Sequence, residues 1–450
     1  MLWGPLDFLQ QFPRVYLEIV KAFTSTFDYS YYALRLPSYV VGTFTIFFCY
    51  RLMNKMYGKD NSNRFLFVMI LVSACTFTDY YVQIKQYTMD LLMSLVALWQ
   101  CIELLQLKDK ERLRRGRYVL LCASFLAAPF FSYTYPVVIA PVFVVLLLQG
   151  VVDLRKHTLS AGMLMRQWFP LFLSACGIVT FYFIDVKQLM ADQGMHKFWG
   201  HLMMDGGFSW SSFFMNCYNL FAEIGAGMLF WYLFGILGIS SFLFGVYSCV
   251  KSLVKNELGG KEVMVLYSSL LLILSIVLFV AGKLPLGEPR LNAFAIPAVS
   301  ILMIFFLDNL RSYPRAAKFA GGLSVMLYIG VIGNIYTTFY ASITGPEYTR
   351  KMEIFKSTEN ALKVAELDKL PIVITPAVAW PYDNTRNLPY NTTVPGDWVL
   401  KTFPAYTVSG NLPVYGISSL TKLNEYLRVL PPGIKFVLVG DGLSFRIVSR

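Results

Sequence analysis

The stretch from Asp79 to Asp90 places ionisable and hydroxyl groups where a membrane would exclude them. It contains two carboxylates, the amine of Lys85 and three tyrosines, and it separates two apolar runs, 65–78 and 91–105. Ionisable groups next to hydrocarbon are costly unless they are paired or face water, so they indicate a functional site. The structural alternative is that Lys85 reaches the interface with its amine while the tyrosines form an aromatic belt.

The composition indicates a polytopic α-helical membrane protein. Of the 450 residues, 56% are hydrophobic and 15% are charged, whereas a soluble domain has about 25% charged residues. The net charge of +12 is typical of basic cytoplasmic loops and does not require nucleic-acid binding. The seven cysteines form no CxxC pair, so neither a disulfide framework nor a metal site is predicted.

Hydropathy predicts about ten spans within residues 1–341. The predicted spans are 36–54, 65–83, 87–106, two short ones within 118–153, 168–186, 224–250, 263–282, 291–308 and 319–341. The positive-inside rule is satisfied when the basic loops all face the cytoplasm; these loops are 51–64, 107–117, 154–166, 251–262 and 309–318. The external loops are then 1–35, the stretch Asp79–Asp90, 187–221 and 283–290.

The two ends of the chain differ from this pattern. Leu17, Val20 and Phe23 form an apolar stripe, which predicts a short amphipathic helix lying on the membrane. Residues 342–450 alternate short apolar runs with turn signals, which predicts a small C-terminal α/β external domain. Its predicted elements are strands at 370–375 and 434–440 and helices at 353–367 and 418–430.

Several motifs, in their order along the chain, resemble those of bacterial protein-mannosyltransferase-like enzymes of the glycosyltransferase C superfamily. The segment Tyr80–Asp90 resembles the residues that follow the third span in that family. The other similar segments, which extend the resemblance over roughly residues 1–310, are Pro5–Pro13, Leu34–Ser38, Phe131–Pro136 and Pro289–Pro297. Position 83 departs from the family pattern, because it is Gln where a carboxylate is common.

The resemblance implies a C-type glycosyltransferase fold for residues 1–341 and a multi-pass enzyme of the plasma (inner) membrane. Such an enzyme moves a sugar from a polyprenyl-phosphate donor to a lipid, glycan or protein acceptor on the external face. The domain 342–450 would lie on the same, periplasmic side. The polyprenyl-linked sugar is then the donor, no cofactor is implied with certainty, and a divalent metal is compatible with the sequence but not indicated by it.

This transfer requires cations for the departing phosphate and a carboxylate to deprotonate the acceptor. Lys85, Lys283 and Arg290 are the predicted donor-phosphate-binding residues, since all lie in predicted external connections. Arg binds phosphate oxygens with a planar fork, whereas Lys acts as a point charge. The predicted site-lining residues are Tyr81, Gln83, Tyr87, Asp90, Glu288 and Arg35.

Three of these lining residues have structural alternatives, and so does Asp79. Glu288 stands two residues from Arg290 and could simply neutralise it. Arg35, at the predicted start of a span, fits an anchor whose guanidinium reaches the interface. Asp79 and Asp90 could orient Lys85 or cap helix ends. Each of these residues therefore has both a functional and a structural interpretation.

The catalytic base predicted within the chain is Asp7, the only carboxylate before the external-loop motif that begins near Pro5. In the family resembled, an acidic motif follows the first span and precedes that segment, so the family's base is expected upstream of Met1. The topology likewise expects one further span ahead of Met1. We therefore expect either that Met1 is an internal methionine of a longer reading frame or that the gene is truncated. The full chain would have eleven spans, with an acidic loop just outside the first.

Two other classes of protein compete with the enzyme. A transporter or glycolipid flippase would carry ionisable residues in the middle of its spans and broken helices in corresponding halves. A non-catalytic envelope-polysaccharide assembly subunit would use the external domain for binding. His196 and His201 stand five residues apart, which fits no common zinc spacing.

The loop charges generate a topology prediction. Single cysteines introduced at Phe198 or Leu400 in a Cys-less background should react with a membrane-impermeant thiol reagent in intact cells. Cysteines at Arg112 or Glu257 should react only after permeabilisation, since these loops are predicted to be cytoplasmic. Labelling of position 112 in intact cells would refute the topology.

Overall fold

The structure is a computed structural model of the chain. It describes residues 13–27, 31–57, 63–74, 86–107, 115–156, 161–187, 209–222, 230–256, 258, 260–286 and 289–344. Beyond residue 344 it describes 360, 364, 368, 372–374, 414–416, 433, 435–439 and 445–449.

The described residues up to 344 are predominantly helical. The helices are α1 (Arg14–Thr26), α2 (Tyr31–Tyr57), α3 (Asn63–Ser73), α4 (Tyr87–Gln106), α5 (Arg115–Ala127), α6 (Tyr135–Arg155), α7 (Ala161–Phe181), α8 (Trp210–Ala222), α9 (Trp231–Val254), α10 (Gly260–Val280), α11 (Ile296–Ser312) and α12 (Pro314–Thr344). Short 3₁₀ segments cover Ala128–Phe131 and Pro289–Ala295, and a π segment covers Tyr182–Val186.

Eight of these helical stretches are long and apolar enough to cross a membrane, which makes the chain a multi-pass helical membrane protein. They correspond to eight of the ten predicted spans. The predicted span 65–83 contains α3, which has 11 residues, and residues 75–85 lie outside the described part. The first half of 118–153 forms the shorter apolar helix Gly116–Phe131, because the proline at position 129 and the polar segment after it end the helix.

Two spans occupy the centre of the bundle. In both Tyr87–Gln106 and Leu291–Ser312, 83% of the apolar window is buried inside the protein. Helix α4 nevertheless carries polar groups along this buried surface, namely Asp90, Ser94, Gln100 and Glu103. Buried polar groups need hydrogen-bond partners. Hydrogen bonding therefore determines, together with apolar packing, which elements lie next to α4.

Two predicted external segments are more ordered than the sequence suggested. The predicted amphipathic helix is present as α1, and part of it packs against another helix of the protein. Tyr16 is completely buried, and its hydroxyl is 2.9 Å from that of Ser38 in α2. In the predicted external connection 187–221, the last part forms helix α8 (Trp210–Ala222), which packs against α9 and is not among the candidate spans.

The helix ends that flank the five basic loops gather at one end of the helical bundle. Contacts between these ends show it: Gln167 Nε2 donates to the Leu104 carbonyl at 3.3 Å, Arg155 donates to Asn256 at 3.4 Å, and the Lys261 amine lies 4.7 Å from the Tyr57 ring centroid. Burial, with smaller effects of Asp308 and Glu262, raises the pKa of Tyr57 above its usual range. The predicted grouping of these loops on one side is therefore confirmed at the level of helix ends.

The described part of residues 345–450 contains a four-stranded sheet. Its strands are β1 (Ile372–Ile374), β2 (Val414–Gly416), β3 (Lys435–Val439) and β4 (Phe445–Ser449), in the order β2-β1-β3-β4. Strand β1 pairs in parallel with β2 and β3, while β3 and β4 are antiparallel. Strands β1 and β3 fall within the predicted ranges. The predicted helices lie almost entirely outside the described residues, so the α/β domain as a whole stays a prediction.

Helix packing generates a stability prediction at Tyr267. This completely buried residue of α10 donates its hydroxyl to the Val138 carbonyl of α6 at 2.9 Å. Replacing Tyr267 by Phe should lower the free energy of unfolding by about 1 kcal/mol, because the ring stays while an interhelical hydrogen bond is lost. Thermal unfolding in detergent measures the effect. Tyr247→Phe is the control, since Tyr247 is 62% exposed, and equal unfolding temperatures for both variants would contradict the prediction.

Candidate functional site

The carboxylate of Asp90 is held at the start of α4 by the segment that precedes α6. Asp90 is 4% exposed, and the Ser132 hydroxyl donates to its Oδ1 at 2.5 Å. Ser132 Oγ is also 2.9 Å from Thr134 Oγ1. The Thr134 side chain is a further hydrogen-bond partner of Asp90. The predicted pairing of Asp90 with Lys85 stays a prediction, because Lys85 lies outside the described residues.

A second carboxylate, Asp185, lies beside the same segment. The Tyr133 hydroxyl donates to Asp185 Oδ2 at 3.1 Å, and Arg14 Nε donates to Oδ1 at 3.5 Å. The side chains of Arg14 and Asp185 are 10% and 4% exposed, so this ion pair is largely removed from solvent. Three separate parts of the chain, namely α1, the segment before α6 and the end of α7, therefore meet at Asp185.

Consecutive residues hold the two carboxylates at the turn between the 3₁₀ segment and α6, where Ser132 is extended and Thr134 is already helical, with φ −84° and ψ −8°. Ser132 has φ −151° and ψ 130°, which ends the 3₁₀ segment Ala128–Phe131. The Thr134 amide then donates to Ser132 Oγ at 3.1 Å, and Pro136 sits in the first turn of α6. The backbone turns here, since the Tyr135 amide donates to the Ser132 carbonyl at 3.2 Å, and the hydroxyls of Ser132 and Tyr133 reach Asp90 and Asp185 respectively. Ser132 and Tyr133 can consequently serve two different carboxylates.

Asp185 reaches this position from a π segment. Helix α7 ends at Phe181, and the π segment Tyr182–Val186 continues it. A π segment inserts extra backbone into a turn and re-aims the side chains that follow, and such segments are frequent at functional sites. The Tyr133 ring lies against Phe181, with ring centroids 5.5 Å apart. This contact fixes the tyrosine next to the turn that presents Asp185.

Tyr133 acts as a hydrogen-bond donor. Burial, and next the negative charge of Asp185, raises the pKa of Tyr133 well above its ordinary value. The phenol is therefore neutral at physiological pH and keeps the proton that it donates to Asp185. Arg14 supplies the positive charge that a buried carboxylate needs.

The predicted segment around Arg290 is brought to the central helix. The 3₁₀ segment Pro289–Ala295 packs against α4 and α11. Buried Asn292 fixes the preceding loop, since its amide donates to the carbonyls of Pro285 and Leu286 at 2.9 Å each. Two motifs about 200 residues apart in sequence thus belong to adjacent elements, although the side chain of Arg290 is not among those described.

The structure places some of the other predicted residues. Tyr87 begins α4 and packs, half-buried, against the core, and Arg35 is half-buried in α2. Lys283 is exposed in the turn after α10, where its amide donates to the Leu278 carbonyl at 2.8 Å. The predicted residues that lie outside the described part are Asp7, Tyr81, Gln83, Lys85 and Glu288.

The predictions for the start of the chain concern residues that the structure does not describe. Its first described residue is Pro13, so the assignment of Asp7 as a base is untested. The first span and the acidic loop expected ahead of Met1 stay predictions for the same reason. A base supplied by the described residues must therefore come from another part of the sequence.

Sequence reasoning missed Asp185 and Arg14. Asp185 had a usable signal, because it is an acidic residue at the end of a strongly apolar span. Arg14 had none, since it belongs to a mixed segment with other charged residues. Among the described residues, no group of three or more His, Cys, Asp or Glu side chains could hold a metal ion. The predicted loop histidines, His196 and His201, lie outside that part.

Comparisons with known proteins returned no matching family, no matching curated protein and no matching solved structure. The interpretation of this site therefore depends on its residues and their geometry.

The site generates a stability prediction at Ser132. Replacing Ser132 by Ala removes a donor from a buried carboxylate, which should lower the free energy of unfolding by about 1–3 kcal/mol. Ser312→Ala is a matched control, because the Ser312 hydroxyl donates to the Asn309 carbonyl at 2.7 Å at an exposed site. Denaturation monitored by tryptophan fluorescence in detergent compares the two. A Ser132 variant as stable as the Ser312 variant would show that Asp90 does not depend on this hydrogen bond.

Proposed function

We propose that the chain is an integral membrane glycosyltransferase that moves a sugar from a polyprenyl-phosphate donor to a lipid, glycan or protein acceptor. One observation carries the proposal: two buried carboxylates, Asp90 and Asp185, are held by consecutive residues at one end of the bundle. Sugar transfer to a hydroxyl needs a carboxylate as base. The order of sequence motifs that resemble the glycosyltransferase C superfamily supports the same class.

The orientation follows from charge. Since Lys and Arg accumulate in cytoplasmic loops, the end of the bundle that carries the five basic loops faces the cytoplasm of a cell with this protein in its inner membrane. Asp90 and Asp185 lie at the opposite ends of α4 and of the α7 span. The proposed site therefore opens on the external face, where residues 342–450 form an external α/β domain.

The donor phosphate is bound by cations of the external connections in this proposal. Both Arg290 and Lys85 belong to segments next to α4. The segment Pro289–Ala295, which contains Arg290, packs against α4, and Lys85 precedes the first residue of α4 by two positions in the sequence. Positive charge aimed at the departing phosphate stabilises the transition state. Exposed Lys283 provides a third, less constrained charge near the entrance.

A transporter or flippase of a glycolipid is the second candidate, and the polar residues of α4 are the observation that favours it. Glu103 is 3% exposed, but it lies near the end of α4 and is paired with Arg117 at 3.4 Å. The buried carboxylates described here are thus at helix ends, as an enzyme at the membrane surface requires. A non-catalytic assembly subunit would lack transfer activity altogether.

The cations generate the functional test. Lys85→Ala and Arg290→Ala should each reduce transfer roughly 10²–10³-fold, since one charge-assisted contact to the developing phosphate contributes about 2–4 kcal/mol. Arg290→Lys should also be clearly impaired, because a point charge cannot replace the planar fork. Transfer is measured in membranes as release of polyprenyl phosphate from synthetic undecaprenyl-phosphate hexoses and pentoses.

The control is Arg315→Ala, which removes an exposed arginine at the basic end. It should retain wild-type transfer, and all variants should reach wild-type expression. Near-normal turnover of both alanine variants at positions 85 and 290 would remove these residues from the mechanism. Wild-type protein that transfers no sugar, but moves glycolipid across vesicles, would favour the second candidate.

A further inference from the structure

We propose that Asp185 is the general base of the site and that Tyr133 and Arg14 are its positioning residues. This inference rests on the proposed glycosyltransferase function and deepens it, because the sequence supplied only Asp7 as a base. It is carried by geometry: one carboxylate, at the end of a span, is contacted on different oxygens by a phenol at 3.1 Å and a guanidinium at 3.5 Å.

The partners of the two buried carboxylates differ in a way that separates their roles. Asp185 has a full positive charge beside it in a largely desolvated site, since Arg14 Nε lies 3.5 Å from its Oδ1. The described side-chain partners of Asp90 are hydroxyls, those of Ser132 and Thr134. A general base must be ionised before the reaction. A neighbouring cation favours the ionised form of a carboxylate, so we assign the base to Asp185, whose described contacts include Arg14, while Asp90 holds the segment 132–134 in place.

The backbone at Asp185 also fits a residue that must reach a substrate. The π segment Tyr182–Val186 breaks the regular hydrogen-bond pattern at the end of the α7 span. An uninterrupted α-helix would turn residue 185 to another direction, since each α-helical residue advances about 100° around the axis. Such irregular turns are rare in helices and occur frequently at functional sites, where they direct a side chain to its place of action.

Arg14 gives α1 a role in the site. Arg14 is the first residue of α1, and Tyr16, two residues later, is anchored on Ser38 of α2. The buried face of α1 therefore fixes the guanidinium against Asp185. The amphipathic segment thus contributes a positioning charge in addition to its packing.

The proposed step balances. A hydroxyl of the acceptor gives its proton to a carboxylate oxygen of Asp185, and the acceptor oxygen forms a bond to the anomeric carbon of the sugar. The bond between that carbon and the phosphate oxygen breaks, and its electron pair leaves with the polyprenyl phosphate. Tyr133 and Arg14 keep their protons throughout, so they orient the base and are not consumed.

The test combines single substitutions with one double substitution. Asp185→Asn should reduce kcat about 10²–10⁴-fold, the usual contribution of general-base catalysis. Tyr133→Phe and Arg14→Gln should each reduce kcat about 10- to 100-fold with little change in KM for the donor, because the loss of a charge-assisted hydrogen bond misplaces the base. Arg14→Lys should recover part of the activity lost in Arg14→Gln.

The double substitution distinguishes positioning from general damage. Tyr133→Phe should have no further effect when it is combined with Asp185→Asn, since residues that act through one another are not additive. Tyr118→Phe is the matched control, because its hydroxyl donates to the Arg166 carbonyl at 3.1 Å at the basic end. That variant should keep wild-type kcat.

The assay uses full-length protein in proteoliposomes with synthetic undecaprenyl-phosphate hexoses and pentoses, and thermal unfolding shows whether each variant is folded. Undiminished transfer by Asp185→Asn, or an additive effect of Tyr133→Phe in the double variant, overturns this inference and leaves the proposed function standing. Absence of any transfer by the wild-type protein overturns the proposed function itself. If Asp185→Asn is unfolded, a kcat of Tyr133→Phe equal to that of the wild type overturns the inference.

Discussion

The requirement that no carboxylate remain alone in hydrocarbon organises this bundle. Three buried acids have a partner from another part of the chain: Asp90 has Ser132, Asp185 has Arg14 and Tyr133, and Glu103 has Arg117. A fourth, Asp153, accepts a hydrogen bond from Gln149 of its own helix. A buried charge without a partner is far more costly than the apolar contacts that one side chain can gain. These pairs therefore determine which helix ends meet. Apolar side chains supply most of the packing contacts, but lipid could cover the same apolar surface equally well.

The spans and their grouping were predictable because the signals are local. Hydropathy is a property of about 20 consecutive residues, and eight of the ten predicted spans match long apolar helices. Loop charge is equally local, and the contact of Lys261 with Tyr57 joins two basic loops as the charge rule requires. Helix α8 escaped prediction because its 13 residues are too few for a span and rich in aromatic residues, a composition that is also typical of interfacial loops.

The site was predictable only in part, for a different physical reason. Asp90 could be singled out because it stands next to an apolar run in a segment dense with ionisable residues. The partners of Asp185 lie 52 and 171 positions away in the chain, and no periodicity or spacing carries information over such separations. The burial of α1 was missed for the same reason, since the hydroxyl contact of Tyr16 depends on where α2 lies.

The two ends of the bundle use ion pairs in contrasting ways, and the contrast bears on function. Arg117, which pairs with Glu103, is 59% exposed, so water solvates much of its charge. Arg14 is only 10% exposed and its partner 4%. Desolvating both charges costs more than a surface pair gains, and apolar residues of similar volume would often stabilise a bundle as well or better. Stability alone therefore gives little reason for a buried Arg14–Asp185 pair. The proposed role in proton transfer does, because a base needs a carboxylate in a fixed position and the cation beside Asp185 favours the charged form of that carboxylate.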